Sequence, residues 1–463
     1  MRIPFRVFSD ILVYFFFSAL ILLFVDEVFL KEAIFYKQIA VKTFFLMLLS
    51  LFVLYRASRY RLDSYISVFT VMLFVAHYGQ IWYVAWFNET DYLLGFTNIL
   101  NIFTPENIIR SCNFSTIAII FMISGIIFIF NLNYRKTNTA EVDKFHCSLT
   151  LYKHVAWAFI FLFFPFQIYI LYLRYYTFNT AGYLASVLSV SKVPGILSAF
   201  GELSSTGMAL LLVSYQNNIK KQSVCFLFLS IYFSVFMVIG WRNTAVTNLI
   251  ILGIIFFSTV KLSTCHKKVL GFVLISLAVI AINVSRETRS GTSISIGEIF
   301  RVIPLLLMDF GAALYSLIES LIHVGVTQPE WYGVGYVAHA ITIFPNIFGI
   351  YDGLTYYIVE HFLPETIGKG GSIIAELYCN FLYSGCLFAP FIGILIGWVS
   401  CLFSRELKGN PFIIAALYPF MVSSLFWIRN SISSVYRATF WNLIVLIFLT
   451  YLFTLPKKRL GHK

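Results

Sequence analysis

The chain has 463 residues, of which 59% are hydrophobic and 12% are charged, with a formal net charge of +12. A soluble domain carries about 25% charged residues, so this composition, with a mean hydropathy of +0.84, excludes a soluble globule. Repeated apolar runs of about 20 residues match the hydrocarbon core of a bilayer. Because these runs lack strict alternation, they favour helices over a β-barrel. We predict an all-α polytopic integral membrane protein.

The apolar runs predict about 12 transmembrane helices in one transmembrane domain, residues 1–463. The predicted spans are 11–30, 40–55, 64–87, 114–131, 154–174, 196–214, 224–240, 244–260, 269–284, 373–403, 411–428 and 434–455. Two more apolar stretches, 302–323 and 333–351, are either an extra pair of spans, giving up to 14, or re-entrant or interfacial helices. Both choices leave an even number, so both termini share one side.

Lysine and arginine residues assign the two faces. Of the 33 basic residues, 20 fall in connections on one side, which is therefore predicted to be cytoplasmic and to hold both termini. Arginines outnumber lysines among the others, and the guanidinium fork suits bidentate binding of phosphate or carboxylate. Six of these outer arginines come late in the chain: Arg242, Arg286, Arg289, Arg301, Arg429 and Arg437.

Each outer arginine allows two interpretations. It can anchor the chain to lipid headgroups, or pair with a nearby acid, as Arg286 can with Glu287 and Arg301 with Glu298. It can also bind an anionic ligand. Because the six arise from separate segments, the group favours a shared anionic ligand.

The longest predicted outer segment is a periplasmic loop, residues 285–372, which contains or leads into three notable stretches. They read SRETRSGTSIS (285–295), WYGVGYVAHAITIFPNI (331–347) and GKGGSIIAELYCNFLYSG (368–385). The glycines of the last stretch allow backbone amides to approach an anion at a helix N-terminus. For so short a motif, an ordinary flexible loop entering a helix is the favoured explanation.

Other motifs are absent from the sequence. It has no CxxC pair, no Cys/His cluster at metal-ligand spacing, and neither GxxxxGK[ST] nor GxGxxG. We therefore expect no metal, no nucleotide or nicotinamide cofactor and no nucleic-acid partner.

Three of these features together resemble the Wzy-type O-antigen polymerase family. They are a G-x-R hairpin (Gly240 to Arg242), a Y-G-x-G-Y…P segment (Tyr332 to Pro345) and G-G-S-x-x-A-E-x-Y-x-N-F (Gly370 to Phe381). The sequence departs from the commoner pattern at Trp241, Cys379 and Leu382.

The resemblance implies a GT-C-like fold in the bacterial inner membrane and glycosyl transfer at the periplasmic face. A growing glycan on undecaprenyl pyrophosphate would be transferred to the non-reducing end of a new lipid-linked repeat unit, with no cofactor. The implied partners are undecaprenyl-pyrophosphate-linked oligosaccharides and membrane lipids. A chain-length-regulating polysaccharide co-polymerase is a further candidate partner.

This chemistry needs cations for the leaving pyrophosphate and a base for the acceptor hydroxyl. Glu376 is the first candidate base, although a helix N-terminus also favours an acid for structural reasons. The predicted pyrophosphate-binding residues are Arg242, Arg286 and Arg289, followed by Arg301 and Arg429. The other candidate bases are His339, Asp352 and His361, and the accompanying motif residues are Gly370, Gly371, Ser372, Tyr378 and Asn380.

Glu202 is a separate case, because it lies in the outer third of a predicted span. An unpaired carboxylate there costs about 2.5–3.5 kcal/mol, so we expect it either to pair with an outer arginine or to pack in a small-residue helix contact. Gly393 and Gly397 are predicted to serve helix packing.

Three alternative functions stay open at this stage. An O-antigen ligase belongs to the same broad class. A lipid-linked oligosaccharide flippase or transporter would place its charges in a central cavity and contain internal repeats, which the sequence does not show. A structural scaffold is the weakest alternative, because it leaves the outer arginines without partners.

Overall fold

The computed structural model describes residues 5–29, 35–58, 65–87, 99–133, 149–191, 195–238, 242–260, 307–308, 310–344, 371–407 and 409–460. Among these residues the structure is helical, with a single isolated β-bridge between Val324 and Gln328 and no β-strand. The all-α prediction is therefore confirmed. The helices are α1 Phe5–Phe29, α2 Phe35–Ala57, α3 Tyr65–Phe87, α4 Ile99–Ile102, α5 Pro105–Asn133, α6 Leu149–Ser191, α7 Gly195–Ser214, α8 Ile219–Val238, α9 Arg242–Thr259, α10 Ala313–His323, α11 Val334–Ile341, α12 Ile373–Phe381, α13 Gly385–Glu406, α14 Pro411–Trp427 and α15 Ser433–Leu460.

Within the described residues, 7 segments are long and apolar enough to cross a membrane. They are Phe35–Ala57, Tyr65–Phe87, Pro105–Leu132, Leu149–Gly182, Ile219–Met237, Ile373–Glu406 and Ser433–Thr454. The shorter apolar helices are Val7–Leu23, Phe200–Ser214, Asn243–Thr259 and Pro411–Trp427. Together they correspond to every predicted span except 269–284, which lies outside the described residues. The chain is a polytopic membrane protein.

Two predicted spans differ in detail from the structure. Helix α6 extends well beyond 154–174, and Gly182 interrupts it with φ 82°, a conformation that residues with a side chain rarely adopt. The span predicted at 373–403 is broken at Leu382, which has φ 50° and begins a short 3-10 turn, Leu382–Ser384. Helix α12 is consequently a separate short element, and it carries Glu376.

The apolar region 302–351 contains two short helices in its described part. Helix α10 has 11 residues and α11 has 8. Both described helices are shorter than the about 20 residues of a transmembrane helix. How this region lies relative to the membrane stays a prediction.

Glycines allow α5 and α13 to pack closely. A Cβ on Gly393 would lie 1.9 Å from the Met122 carbonyl oxygen, and one on Gly125 would lie 2.2 Å from that of Pro390. Gly397 faces the Ile126 backbone in the same interface. Small residues permit this backbone approach between membrane helices, so the prediction that Gly393 and Gly397 serve helix packing is confirmed.

The described helices pack in two overlapping groups that share α13. Helix α5 packs against α1, α2, α3, α10 and α13, while α14 packs against α7, α9, α13 and α15. A buried hydrogen bond of 2.6 Å between the hydroxyls of Tyr65 and Ser424 joins α3 of the first group to α14 of the second.

The glycine contact gives a stability prediction. Gly393→Ala places a methyl group where the Met122 backbone lies, so α5 and α13 must move apart, at a cost of about 1–3 kcal/mol. Thermal unfolding of the purified protein in detergent should shift to lower temperature. Gly253→Ala is the matched control, because the nearest atom to a Cβ there is 4.0 Å away. Equal behaviour of the two variants would contradict the close packing.

Candidate functional site

Glu376 holds the connection between α14 and α15. Its side chain is 1% exposed. Oε2 accepts a hydrogen bond of 2.6 Å from the Trp427 indole nitrogen, and Oε1 accepts one of 3.0 Å from the backbone nitrogen of Ile432. Hydrogen bonds to a carboxylate are stronger than neutral ones, so this side chain fixes both ends of the α14–α15 turn to α12.

His339 lies against Glu376, as the two predicted base candidates would if they shared a site. Its Nδ1 donates to the Gly335 carbonyl oxygen at 2.7 Å, and its Nε2 lies 3.5 Å from Oε1 of Glu376. Burial lowers the pKa of His339 to about 4. The two predicted base candidates are therefore neighbours in one buried site.

Two of the quoted stretches, 331–347 and 368–385, fold together around Asn380. Its side-chain oxygen accepts a 3.0 Å hydrogen bond from the Gly335 nitrogen, and its carbonyl oxygen accepts one of 3.2 Å from Gly333. A Cβ on Gly335 would lie 2.8 Å from the Asn380 side-chain oxygen. The Tyr336 and Phe381 rings also stack, with centroids 6.2 Å apart. The glycines of Y-G-x-G-Y are thus needed for close approach to α12.

Ser372 begins α12 as its N-cap. Its Oγ accepts hydrogen bonds from the nitrogens of Ile374 and Ala375, which satisfies amides that a helix start leaves unpaired. His77 of α3 donates from Nδ1 to the Leu73 carbonyl oxygen, so its Nε2 accepts the Ser372 hydroxyl at 2.8 Å. The predicted motif serine is therefore a buried structural cap.

The other motif residues lie on either side of this cap. A Cβ on Gly371 would lie 3.2 Å from the Asn430 carbonyl carbon, so this glycine packs against the α14–α15 turn. The Tyr378 ring contacts Phe114 and Tyr383 at centroid distances of 5.3 and 5.5 Å. Gly370 lies outside the described residues.

Arg429 lies two residues beyond the end of α14, with its guanidinium group over the Phe310 ring, 5.6 Å from the ring centroid. It lines a small cavity together with Asn243 and Thr247 of α9. Arg242 is the first residue of α9, next to Asn243, so the chain brings Arg242 and Arg429 to the same end of the bundle. We call this the outer end, because the charge distribution predicts it to be periplasmic.

Six further predicted site residues lie wholly or partly outside the described residues. The side chain of Arg242 lies outside the described residues, and so do five whole residues: Arg286, Arg289, Arg301, Asp352 and His361.

A larger cavity of about 190 Å³ opens between α6, α7, α8, α9, α14 and α15. Glu202 and Arg437 both line it. Arg437 donates from Nε to the carbonyl oxygen of Thr342 at 3.3 Å, and Trp441 donates to that of Ile343 at 2.7 Å. Glu202 and an outer arginine thus line the same cavity, and their expected pairing stays a prediction. The residues that follow α11 hold Arg437 and Trp441 of the cavity wall.

This cavity adjoins the smaller one, since Thr247 and Phe426 line both. Its place in the molecule was not predicted from sequence, because the sequence does not say which spans are neighbours. The sequence feature that indicates such a cavity is the set of polar residues within apolar helices. Polar side chains without partners destabilise a helix in the membrane. The polar residues that line the cavity include Gln167, Glu202, Ser205, Asn248, Tyr418 and Ser423.

Comparisons with known proteins identify the family to which the chain belongs. The model of a family described as O-antigen polysaccharide polymerase Wzy matches residues 7–459. No curated protein and no solved structure matches the chain. The family match runs from within α1 to within α15 and includes the Glu376, Arg429 and Glu202–Arg437 regions. The chain therefore belongs to the Wzy family of O-antigen polysaccharide polymerases.

Proposed function

We propose that this O-antigen polymerase transfers a glycan from undecaprenyl pyrophosphate to the non-reducing end of a new lipid-linked repeat unit. The reaction is assigned to the periplasmic face of the bacterial inner membrane. The observation that carries the proposal is the meeting of arginines from separate helices at the outer end. Arg429 and Arg437 line two adjoining cavities there, and α9 begins beside them at Arg242.

Cations at this position suit the departure of a pyrophosphate. When the bond between the sugar C1 and the pyrophosphate oxygen breaks, negative charge grows on the leaving group. Guanidinium groups fixed in a site with little water stabilise that charge more in the transition state than in the substrate. We assign Arg242, Arg286, Arg289, Arg301 and Arg429 to this role, and the position of Arg429 supports it.

The structure favours a positioning role for Glu376. Both of its carboxylate oxygens accept hydrogen bonds from the α14–α15 turn, and its side chain is 1% exposed. His339 is 2% exposed. A base must come within hydrogen-bond reach of the proton that it removes, and burial of both side chains does not favour this. Asp352 remains a candidate base.

The topology belongs to the same proposal. Both termini are assigned to the cytoplasm and residues 285–372 to a periplasmic loop, within a single transmembrane domain. A chain-length-regulating co-polymerase is proposed as a partner at the periplasmic face, where the growing glycan leaves.

Deletion of the gene distinguishes the candidate functions. Loss of a polymerase should leave lipopolysaccharide core that carries a single repeat unit, seen as one band on a gel in place of the long-chain ladder. Core without any repeat unit, with lipid-linked polymer accumulating, would identify a ligase instead. Repeat units trapped in the inner leaflet would identify a flippase. A ladder that persists in the deletion strain would contradict the proposal.

Arg429 tests the pyrophosphate assignment. Arg429→Ala should slow chain growth by about 10²-fold, the usual effect of removing one donor to a developing anion, and Arg429→Lys should restore only part of it. The readout is the ladder of a complemented deletion strain at matched protein level. Arg405→Ala is the control, because Arg405 lies at the opposite end of the bundle and is 54% exposed. A normal ladder from Arg429→Ala would mean that Arg429 only anchors the chain.

Trp427 tests the positioning role of Glu376. Trp427→Phe removes the indole donor while leaving the carboxylate, at a cost of about 1.5–3 kcal/mol for a hydrogen bond to a charged group. We expect a lower unfolding temperature in detergent together with a shorter ladder, and the same pair of changes from Glu376→Gln. A Glu376→Gln protein of normal thermal stability that makes no polymer would identify Glu376 as the base.

A further inference from the structure

We propose that the cavity between α6 to α9, α14 and α15 binds the acceptor sugar, and that Glu202 takes the proton from its attacking hydroxyl. This inference rests on the proposed function, because it assigns the acceptor half of the same glycosyl transfer. It concerns residues that the family motifs do not contain.

The lining of the cavity is suited to a carbohydrate. Hydroxyl, amide, carboxylate and guanidinium groups come from several different helices, and aromatic rings stand between them. Binding sites for polar ligands combine a largely apolar wall with a few fixed polar groups in this way. The members of that set are Gln167, Glu202, Ser205, Asn248, Arg437 and Trp441.

Two polar atoms of the lining lack partners. The Gln167 side chain is 6% exposed, and in the described part of the chain its Oε1 has no hydrogen-bond partner. The hydroxyl of Tyr232 is likewise buried there without one. A buried polar group without a partner costs about 1–3 kcal/mol. Hydroxyl groups of a bound sugar would satisfy both atoms.

The remaining polar groups of the wall are held in place. Tyr418 donates a 2.6 Å hydrogen bond to the side-chain oxygen of Asn248, whose amide nitrogen donates to the Thr244 carbonyl oxygen at 2.7 Å. Arg437 and Trp441 are fixed by the carbonyl oxygens that follow α11. A wall with fixed side chains loses little entropy when a ligand binds.

Glu202 is accessible to a ligand, as a general base must be, and Glu376 is not. Its side chain is exposed to the cavity, whereas that of Glu376 is buried with both oxygens in hydrogen bonds. Arg437 lines the same cavity as Glu202. The carboxyl group of Glu202 therefore faces the space in which an acceptor hydroxyl would bind, with a guanidinium group on the wall of the same cavity.

The reaction step is balanced without another reactant. The acceptor hydroxyl oxygen attacks C1 of the donor glycan as the bond from C1 to the pyrophosphate oxygen breaks. The electron pair of that bond goes to undecaprenyl pyrophosphate, and the hydroxyl proton goes to the Glu202 carboxylate. The leaving group lies on the side of Arg429, because the Arg429 cavity adjoins this one at Thr247 and Phe426.

The test measures polymerisation by the purified full-length protein, reconstituted in liposomes with lipid-linked repeat units. Glu202→Gln should lower kcat by about 10²-fold or more, the usual contribution of a general base, with an unchanged unfolding temperature. Glu202→Asp should retain part of the activity. Wild-type kcat should fall as the pH is lowered, and the residual activity of Glu202→Gln should lose that dependence. Glu106→Gln is the control, because Glu106 is an exposed acid at the outer end of α5.

A second variant covers the case in which Glu202→Gln is unstable. Gln167→Met keeps the size of the side chain and removes its hydrogen-bonding atoms, so the KM for the repeat unit should rise about 10-fold, as expected for one lost hydrogen bond of about 1.4 kcal/mol. Wild-type kcat in Glu202→Gln, or wild-type KM in Gln167→Met, would overturn the inference. A wild-type protein unable to polymerise the repeat units would instead overturn the proposed function.

Discussion

The outer end of this protein depends on one buried carboxylate. Glu376 accepts hydrogen bonds from an indole and a backbone amide on the two sides of the α14–α15 turn. Leaving such a charge buried without partners would cost several kcal/mol, so the carboxylate and the turn constrain each other. Arg429 and Arg437 lie within and just after this turn. Their positions are therefore set by a residue on another helix.

Glycines determine how α12 reaches that turn. Gly335 lets α11 lie against Asn380, and Gly371 lets the start of α12 lie against Asn430. The 3-10 turn at Leu382–Ser384 separates α12 from the long helix α13, so α12 need not share the direction of a transmembrane helix. Close backbone contacts and one break in a helix thus hold α11 and α12 against the α14–α15 turn.

The spans could be predicted from sequence because length and hydropathy are local properties, and the described helices match them. The breaks at Gly182 and Leu382 could not, because a short break leaves the apolar run intact. His339 and Glu376 were predicted from residue type and are in contact, yet their burial depends on tertiary packing that no local pattern encodes. Glu202 stood out as a carboxylate in an apolar run. Its neighbours across the cavity could be identified only once the packing of α6 to α9 was known.

The segment 345–370 begins and ends at the same structural support. Just before it, the carbonyl oxygens of Thr342 and Ile343 accept hydrogen bonds from Arg437 and Trp441 of α15. Just after it, Gly371 packs against Asn430. The residues on both sides of this segment are therefore held by α15 or by the turn that precedes it. Because Arg437 and Trp441 also line the larger cavity, a movement of α15 would displace the cavity wall and the residues before this segment in one step.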